Sequence, residues 1–196
     1  MASQKKIIIT IVGAESSGKT TLAQHLVKHF NCLHVPEFAR EYLTSIERPY
    51  TEDDLKIIAE SELKIIDKVL KGETNNVHEK NTVNNMSSHL SYVTEPEGLL
   101  RMLASLSPDS TSIVIVDGGM LTLRMWAKIK YKSKIDVVET ALNNDITDIY
   151  LLCRPRKEWE HDALREAPDL IERAWIYNLY LQELMKMEAR FEIVAV

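Results

Sequence analysis

The eight residues Gly13-Ala14-Glu15-Ser16-Ser17-Gly18-Lys19-Thr20 match G-x-x-x-x-G-K-[ST], and together with their flanks they constrain this chain more than any other feature. Before them, Ile7 to Val12 is a β-branched apolar run that reads as a strand buried on both faces of a parallel sheet. After them, Leu22, Ala23, Leu26, Val27 and Phe30 recur at three- and four-residue steps, as on a helix with one buried stripe. A strand, a glycine-bounded turn and a helix in that order is the context in which this motif cradles phosphate. The glycines let successive backbone N–H groups converge on an anion, and the helix N-terminus adds the positive end of its dipole. Gly13, Glu15, Ser16, Ser17, Gly18, Lys19, Thr20 and Thr21 are therefore the candidate cofactor-binding residues, with Lys19 reaching the terminal phosphates and the Thr20 hydroxyl on the metal. The motif calls for ATP and Mg2+.

The same alternation continues along the chain. Cys32 to Val35 is a second short run that stops at Pro36, Ser112 to Val116 is a third that ends at Asp117, Ile146 to Cys153 is a fourth, and Phe191 to Val196 is a fifth. Thr51 followed by three acids predicts a helix start, and Leu55, Ile58, Glu62, Ile65, Ile66 and Val69 hold helical spacing up to Gly72. A second long helix is predicted over about 169–190. From Glu73 to Glu97 the chain is Asn-, Ser- and Thr-rich and closes on a Pro96-Glu97-Gly98 turn, so it reads as a polar, mobile insertion. Strands alternating with helices predict an α/β sandwich around a parallel sheet, with the ligand at the carboxyl ends of the strands. One domain over 1–196 is expected, carrying the insertion at about 73–97 and a lid at about 154–168.

Composition removes several classes of function. With 45% hydrophobic and 27% charged residues in 196, the chain is ordinary globular stock and long enough to bury a large core without staples. Its formal net charge of −5 supplies no surface-wide cationic field, so neither nucleic acid nor a membrane surface is an expected partner, and any phosphate must be bound locally. Ile7 to Val12 is too short for a signal-peptide core or a membrane span, and the chain reads as cytoplasmic. Cys32 and Cys153 have no metal-ligand spacing and read as two buried thiols.

Further residues fall on the expected reaction edge. Asp117, after four apolar strand residues, takes the place of a carboxylate that holds the metal or its waters. Glu37 and Arg40 follow the second strand three residues apart and would share one helix face above the sheet edge. There Glu37 suits a general base and Arg40 a positioning cation, with a solvated ion pair as the alternative. Arg154, Arg156 and Arg165 lie in the lid stretch and would bring cations to a transferring phosphoryl group, or form a solvated basic face instead. Trp126 and Tyr131 are candidates for the substrate side, and they, Trp159 and Trp175 equally suit packing.

With these residues placed, the chain resembles the ribosylnicotinamide kinase domain of bacterial NAD-salvage proteins, a branch of the P-loop small-molecule kinases. The likeness spans most of the chain. It rests on Gly13 to Thr20, on Val35-Pro36-Glu37-Phe38-Ala39-Arg40-Glu41-Tyr42, on Asp117, on Trp126 to Tyr131 and on Trp159-Glu160-His161-Asp162-Ala163-Leu164-Arg165. The resemblance implies a P-loop kinase-like three-layer sandwich with five parallel strands in the order 2-3-1-4-5 and a helical lid. It also implies transfer of the γ-phosphate of ATP to the 5′-hydroxyl of nicotinamide riboside, a nucleoside-like acceptor. Lys19, Glu37, Asp117 and Arg165 carry the catalytic expectation, Glu37, Arg40, Trp126 and Tyr131 the substrate side, and Thr20 and Asp117 the metal. The chain departs from the family at Asp117-Gly118-Gly119, where members commonly read Asp-Thr-Asp, and the sequence stops at its fifth strand, after which the adenine-binding loop of such kinases usually comes, so either the protein is cut short here or its base pocket is unusual.

Two other readings compete. One is an ATP-hydrolysing motor or nucleotide-dependent switch, which needs a residue to orient water, yet glycines follow Asp117 and no Asn-Lys-x-Asp motif is present. The other is the same kinase chemistry on a different small metabolite. The oligomeric state, a homo-oligomer included, is left open.

Overall fold

Asp148, the third residue of the fourth predicted run, lies just outside the strand: its N–H meets the Ile8 carbonyl at 2.9 Å, but its own carboxylate takes the Ile8 N–H at 2.9 Å. Strand pairing therefore starts at Ile149 and not at Ile146, which is exposed. The computed structural model describes residues 6–73, 96–106, 113–159 and 164–196. Five strands, β1 (Ile7–Gly13), β2 (Leu33–Val35), β3 (Ile113–Asp117), β4 (Ile149–Cys153) and β5 (Phe191–Val194), form one sheet in the order β2-β3-β1-β4-β5. All four pairings are parallel. The parallel three-layer fold and the strand order are those expected, but the lid expected to be helical carries no helix among its described residues, 154–159 and 164–168. β3 and β4 are buried along their whole length, as strands covered on both faces must be.

Helices cover both faces. α1 (Lys19–Phe30) and α4 (Pro96–Leu106) lie on one side, where Leu22, Leu26 and Leu103 pack on Ile9, Ile11, Ile113 and Ile115. The other side carries α3 (Glu52–Lys71), α5 (Gly119–Trp126), α6 (Asp136–Asn143) and α7 (Leu170–Lys186), packed through Leu55, Ile58, Leu121 and Tyr180 onto Val12 and Leu152. α2 (Phe38–Ser45) joins this layer through Ala39 and Leu43. Consecutive β1 residues thus supply opposite faces of the sandwich, which is the period of two that a strand imposes.

Local chemistry sets the element ends. α3 starts at Thr51, whose backbone N–H donates to Asp54 at 2.6 Å, and it ends on Gly72 at φ 72. The turn predicted at Pro96-Glu97-Gly98 is instead the first turn of α4, since proline at a first helical position gives up only an N–H that has no intrahelical partner. The last long helix is shorter than predicted, Leu170–Lys186: Asp169 accepts the Ile171 N–H at 2.5 Å at its start, and Glu188 turns left-handed at φ 53 after its end. β5 stops at Val194, short of Val196. Residues 74–95 of the insertion predicted over about 73–97, the first residue of the third predicted run, Ser112, and residues 160–163 lie outside the described residues. Both cysteines are free and buried.

Candidate active site

Strand register brings the first two site elements together. Ile11 pairs with Asp117, so β3 ends beside β1 two residues before Gly13, and the Gly118 N–H extends the ladder onto the Ile11 carbonyl at 2.9 Å. The loop from Gly13 to Lys19 then turns over this edge into α1. Its turn needs glycine at Gly18, at φ 84, where a Cβ would lie 2.7 Å from Val196 Cγ1. Ser16, at φ 54, holds the same left-handed conformation without glycine's freedom, a strained backbone of the sort found where a loop must wrap a ligand. Lys19 Nζ donates to the loop's own carbonyls at Gly13 (3.1 Å) and Ala14 (2.9 Å), which centres its charge in the cradle.

Ser16 Oγ, Ser17 Oγ and Asp117 Oδ1 are buried and have no hydrogen-bond partner among the described residues, while the Asp117 carboxylate also meets the Thr20 hydroxyl. Burial raises the Asp117 pKa, opposed by the Lys19 charge and the Thr20 hydroxyl. Among the described residues no three His, Cys, Asp or Glu side chains are arranged to hold a metal. A hard ion bound by one hydroxyl and one carboxylate, with phosphate oxygens completing its shell, is how Mg2+ is commonly held, and these residues fit it.

Glu37 caps the start of α2 with ψ 97, turning the chain from strand to helix. Its carboxyl reaches under the Asp117 turn: Oε1 lies 3.6 Å from where a Cβ on Gly118 would stand. Desolvation raises its pKa and the Asp117 charge adds to this, while Lys19, Arg40 and Arg165 oppose it. Four residues singled out from separate stretches of sequence thus surround one carboxyl. Sequence reasoning missed a further acid. Glu62 of α3 is 2% exposed and accepts the Gly119 N–H at 3.2 Å, and burial followed by the Glu37 charge pushes its pKa up to about 8. A glutamate on an otherwise apolar helix stripe was the available signal.

The cavity over these groups runs from the phosphate loop, where Thr21 also lines it, to a wall of Leu43, Tyr50, Trp126, Ile129, Leu164 and Ile176. The Tyr50 and Trp126 rings lie 5.9 Å apart, tilted by 35°. Tyr131 stands behind this wall rather than in it, its hydroxyl donating to the Tyr50 carbonyl at 2.7 Å. A single π-helical turn, Ala127–Tyr131, follows α5 and brings Ile129 and Lys130 to the cavity. Lys130 then lies 3.6 Å over the Tyr50 ring and pairs with Glu166 at 2.5 Å. Tyr50, Lys130 and Glu166 were not legible as site residues, because their meeting depends on long-range packing.

Of the three lid arginines, Arg156 and Arg165 line the cavity and Arg154 is exposed away from it. Arg156 Nη1 lies 3.7 Å from the Cβ position of Gly18. Arg173 of α7, 1% exposed, donates to the Arg156 carbonyl at 2.9 Å and lies 5.2 Å over the Trp159 ring, so Trp159 is a packing residue at the base of the lid. Trp175 is half exposed on α7. Glu15 turns toward the lid: its Oε2 accepts the N–H groups of Glu166 (2.8 Å) and Ala167 (2.9 Å). Burial raises the Glu15 pKa and those two hydrogen bonds lower it. His161 and Asp162 of the lid motif lie outside the described residues. No described helix is long and apolar enough to cross a membrane.

Comparison with solved structures places this architecture among known folds. The chain is similar to the NadR protein in complex with NR, with a TM-score of 0.62 and 17% identity over 96% of this chain and 45% of that one. It is similar to the NadR protein in complex with NAD and AMP-PNP, with a TM-score of 0.61 and 17% identity over 96% and 44%. It is also similar to thymidylate kinase from Ehrlichia chaffeensis, with a TM-score of 0.54 and 14% identity over 97% and 87%. The chain therefore spans less than half the length of the NadR chains it matches. No curated protein matches it in sequence. The AAA domain family matches residues 8–88 and 94–196. With its phosphate loop, parallel sheet and strand-end aspartate in place, the chain belongs to the AAA domain family of P-loop proteins.

Proposed function

We propose that this chain, acting as one cytoplasmic catalytic domain, transfers a phosphoryl group from Mg·ATP to a hydroxyl of a small nucleoside-like acceptor, nicotinamide riboside being the first choice. The observation that carries this reading is the position of Glu37, among Lys19, Asp117, Arg40 and Arg165 and under a cavity with an aromatic far wall. Phosphoryl transfer needs little covalent help from a protein, so positioning and charge stabilisation are the work to be done. Gly13 to Thr21 would hold the nucleotide phosphates, and Thr20 and Asp117 the magnesium. Bound there, Mg·ATP supplies an electrophilic terminal phosphoryl group. Glu37 accepts the proton of the acceptor hydroxyl and Arg40 steadies it. Tyr50 and Trp126 offer ring faces to a planar base. Arg156 and Arg165 bring positive charge from the lid to the phosphate end and help to exclude water. The fold of NadR, whose solved structures hold NR or NAD with AMP-PNP, agrees with this choice of acceptor without deciding it.

Two substitutions test the roles. Lys19→Ala is expected to abolish transfer while the protein still unfolds cooperatively. Glu37→Gln is expected to lower kcat by about 10²–10⁴-fold, the usual worth of a general base, with ATP affinity changed far less. Unchanged turnover in Glu37→Gln removes it as the base, and transfer retained in Lys19→Ala removes the phosphate-loop assignment.

A further inference from the structure

We propose that Glu62 is a positioning residue for phosphoryl transfer, its carboxyl fixing the Gly118-Gly119 turn and, through that turn, both Asp117 and the start of α5. The inference rests on the kinase reading above and extends it to a residue outside the phosphate loop and lid.

Gly119 opens α5, and the first N–H groups of any helix have no partner within it. The residue before a helix usually supplies a side-chain acceptor, but Gly118 has none. The acceptor arrives instead from α3, 57 residues away in sequence: Glu62 Oε1 takes the Gly119 N–H at 3.2 Å. Both turn glycines have positive φ, 93 and 73, and Gly119 is closely approached by Thr10, whose Cγ2 would be 3.1 Å from a Cβ there. Neither glycine has a side chain of its own: the Gly118 N–H on the Ile11 carbonyl at 2.9 Å and the Thr122 hydroxyl on the Gly118 carbonyl at 3.0 Å tie the first residue of the turn, and Glu62 takes the N–H of the second.

The turn separates two functional groups. Asp117 immediately precedes it, and α5 immediately follows, carrying Thr122 and Trp126 to the cavity. A shift of the turn moves metal carboxylate and acceptor wall together, and misplacement by about 1 Å is enough to cost on the order of 10²-fold in rate. Glu62 is 2% exposed on a stripe where Ile58, Ala59 and Ile66 pack against the core. An apolar residue there would avoid the desolvation that a buried carboxyl incurs. The hydrogen bond to Gly119 is the task that the apolar residue would not perform.

The test uses the full chain in three variants. Glu62→Gln keeps an acceptor oxygen, Glu62→Met fills the volume but accepts nothing, and Glu62→Asp withdraws the carboxyl by one methylene. Two measurements are made: acceptor kinetics, giving kcat and KM, and the Mg2+ concentration needed for binding a fluorescent, non-hydrolysable ATP analogue. Glu62→Met is expected to lose about 10–100-fold in kcat with a smaller change in KM, and to need roughly tenfold more Mg2+. Glu62→Asp should fall between, and Glu62→Gln should recover both quantities to within about threefold of the native chain. Glu62→Met matching the native chain in both, or Glu62→Gln falling as far as Glu62→Met, overturns the proposal. If the native chain phosphorylates no acceptor, the kinase reading fails, and the Mg2+ series still decides Glu62: a shift in Glu62→Met and Glu62→Asp upholds it, and a flat series overturns it. If Glu62→Met does not fold, the contrast between Glu62→Gln and Glu62→Asp decides in the same way.

Discussion

The Glu62 carboxyl feels the charge of Glu37, and the groups around the two divide their roles. Glu37 has Lys19, Arg40 and Arg165 to favour its ionised form, while burial and then the Glu37 charge push the Glu62 pKa up to about 8. An acid that holds its proton more tightly folded than unfolded stabilises the native state below its ordinary value of 4.5 and loses that contribution as pH rises toward 8. Between those limits the melting temperature of the native chain is therefore expected to fall with rising pH, and that of Glu62→Gln to fall less, as scanning calorimetry at stepped pH would show. Equal slopes for the two proteins would mean that Glu62 is ionised throughout. The sequence marked Glu37 because it follows a strand and a proline, a local cue. It did not mark Glu62, whose partner is a backbone N–H 57 residues away.

At the scale of elements, the phosphate loop and the lid are joined by one side chain. Glu15 leaves the loop to accept two consecutive lid N–H groups next to Arg165, so the loop that would grip the phosphates also fixes the segment that supplies cations to them. Hydrogen bonds to a charged acceptor are each worth about 1.5–3 kcal/mol, so Glu15→Ala should shift lid opening by tenfold or more. The expected result is faster amide exchange at Glu166 and Ala167 and more ATP hydrolysed per acceptor phosphorylated, because an open lid admits water. Unaltered exchange and coupling would show that the lid closes by other contacts. Most elements were legible because each buried strand is an apolar run and each long helix has a stripe and a cap. The misses have local causes: Pro96 starts a helix where it was read as a turn, and the Asp148 carboxylate stands in for a strand partner. Tyr50, Lys130 and Glu166 meet across three separate segments, and no periodicity reports such a meeting.

For the whole molecule, the formal charge of −5 and the cations Lys19, Arg40, Arg156 and Arg165 around one cavity belong to a single design. These cations are interleaved with the carboxylates of Glu15, Glu37, Glu158, Glu166 and Glu172 around the same cavity, so a polyanion there would be bound by local contacts rather than by a long-range field. Strand order β2-β3-β1-β4-β5 puts the phosphate loop on the central strand, with Asp117 on one neighbour and the lid rising from the other. The measurement that bears most directly on this account is ADP release with Mg·ATP across a panel of nicotinamide riboside, common nucleosides and small sugars, with product masses determined. The account predicts that nicotinamide riboside stimulates release and becomes heavier by one phosphoryl group. A panel flat at the basal rate of ATP hydrolysis would contradict it and identify the chain as a hydrolase or nucleotide-dependent switch.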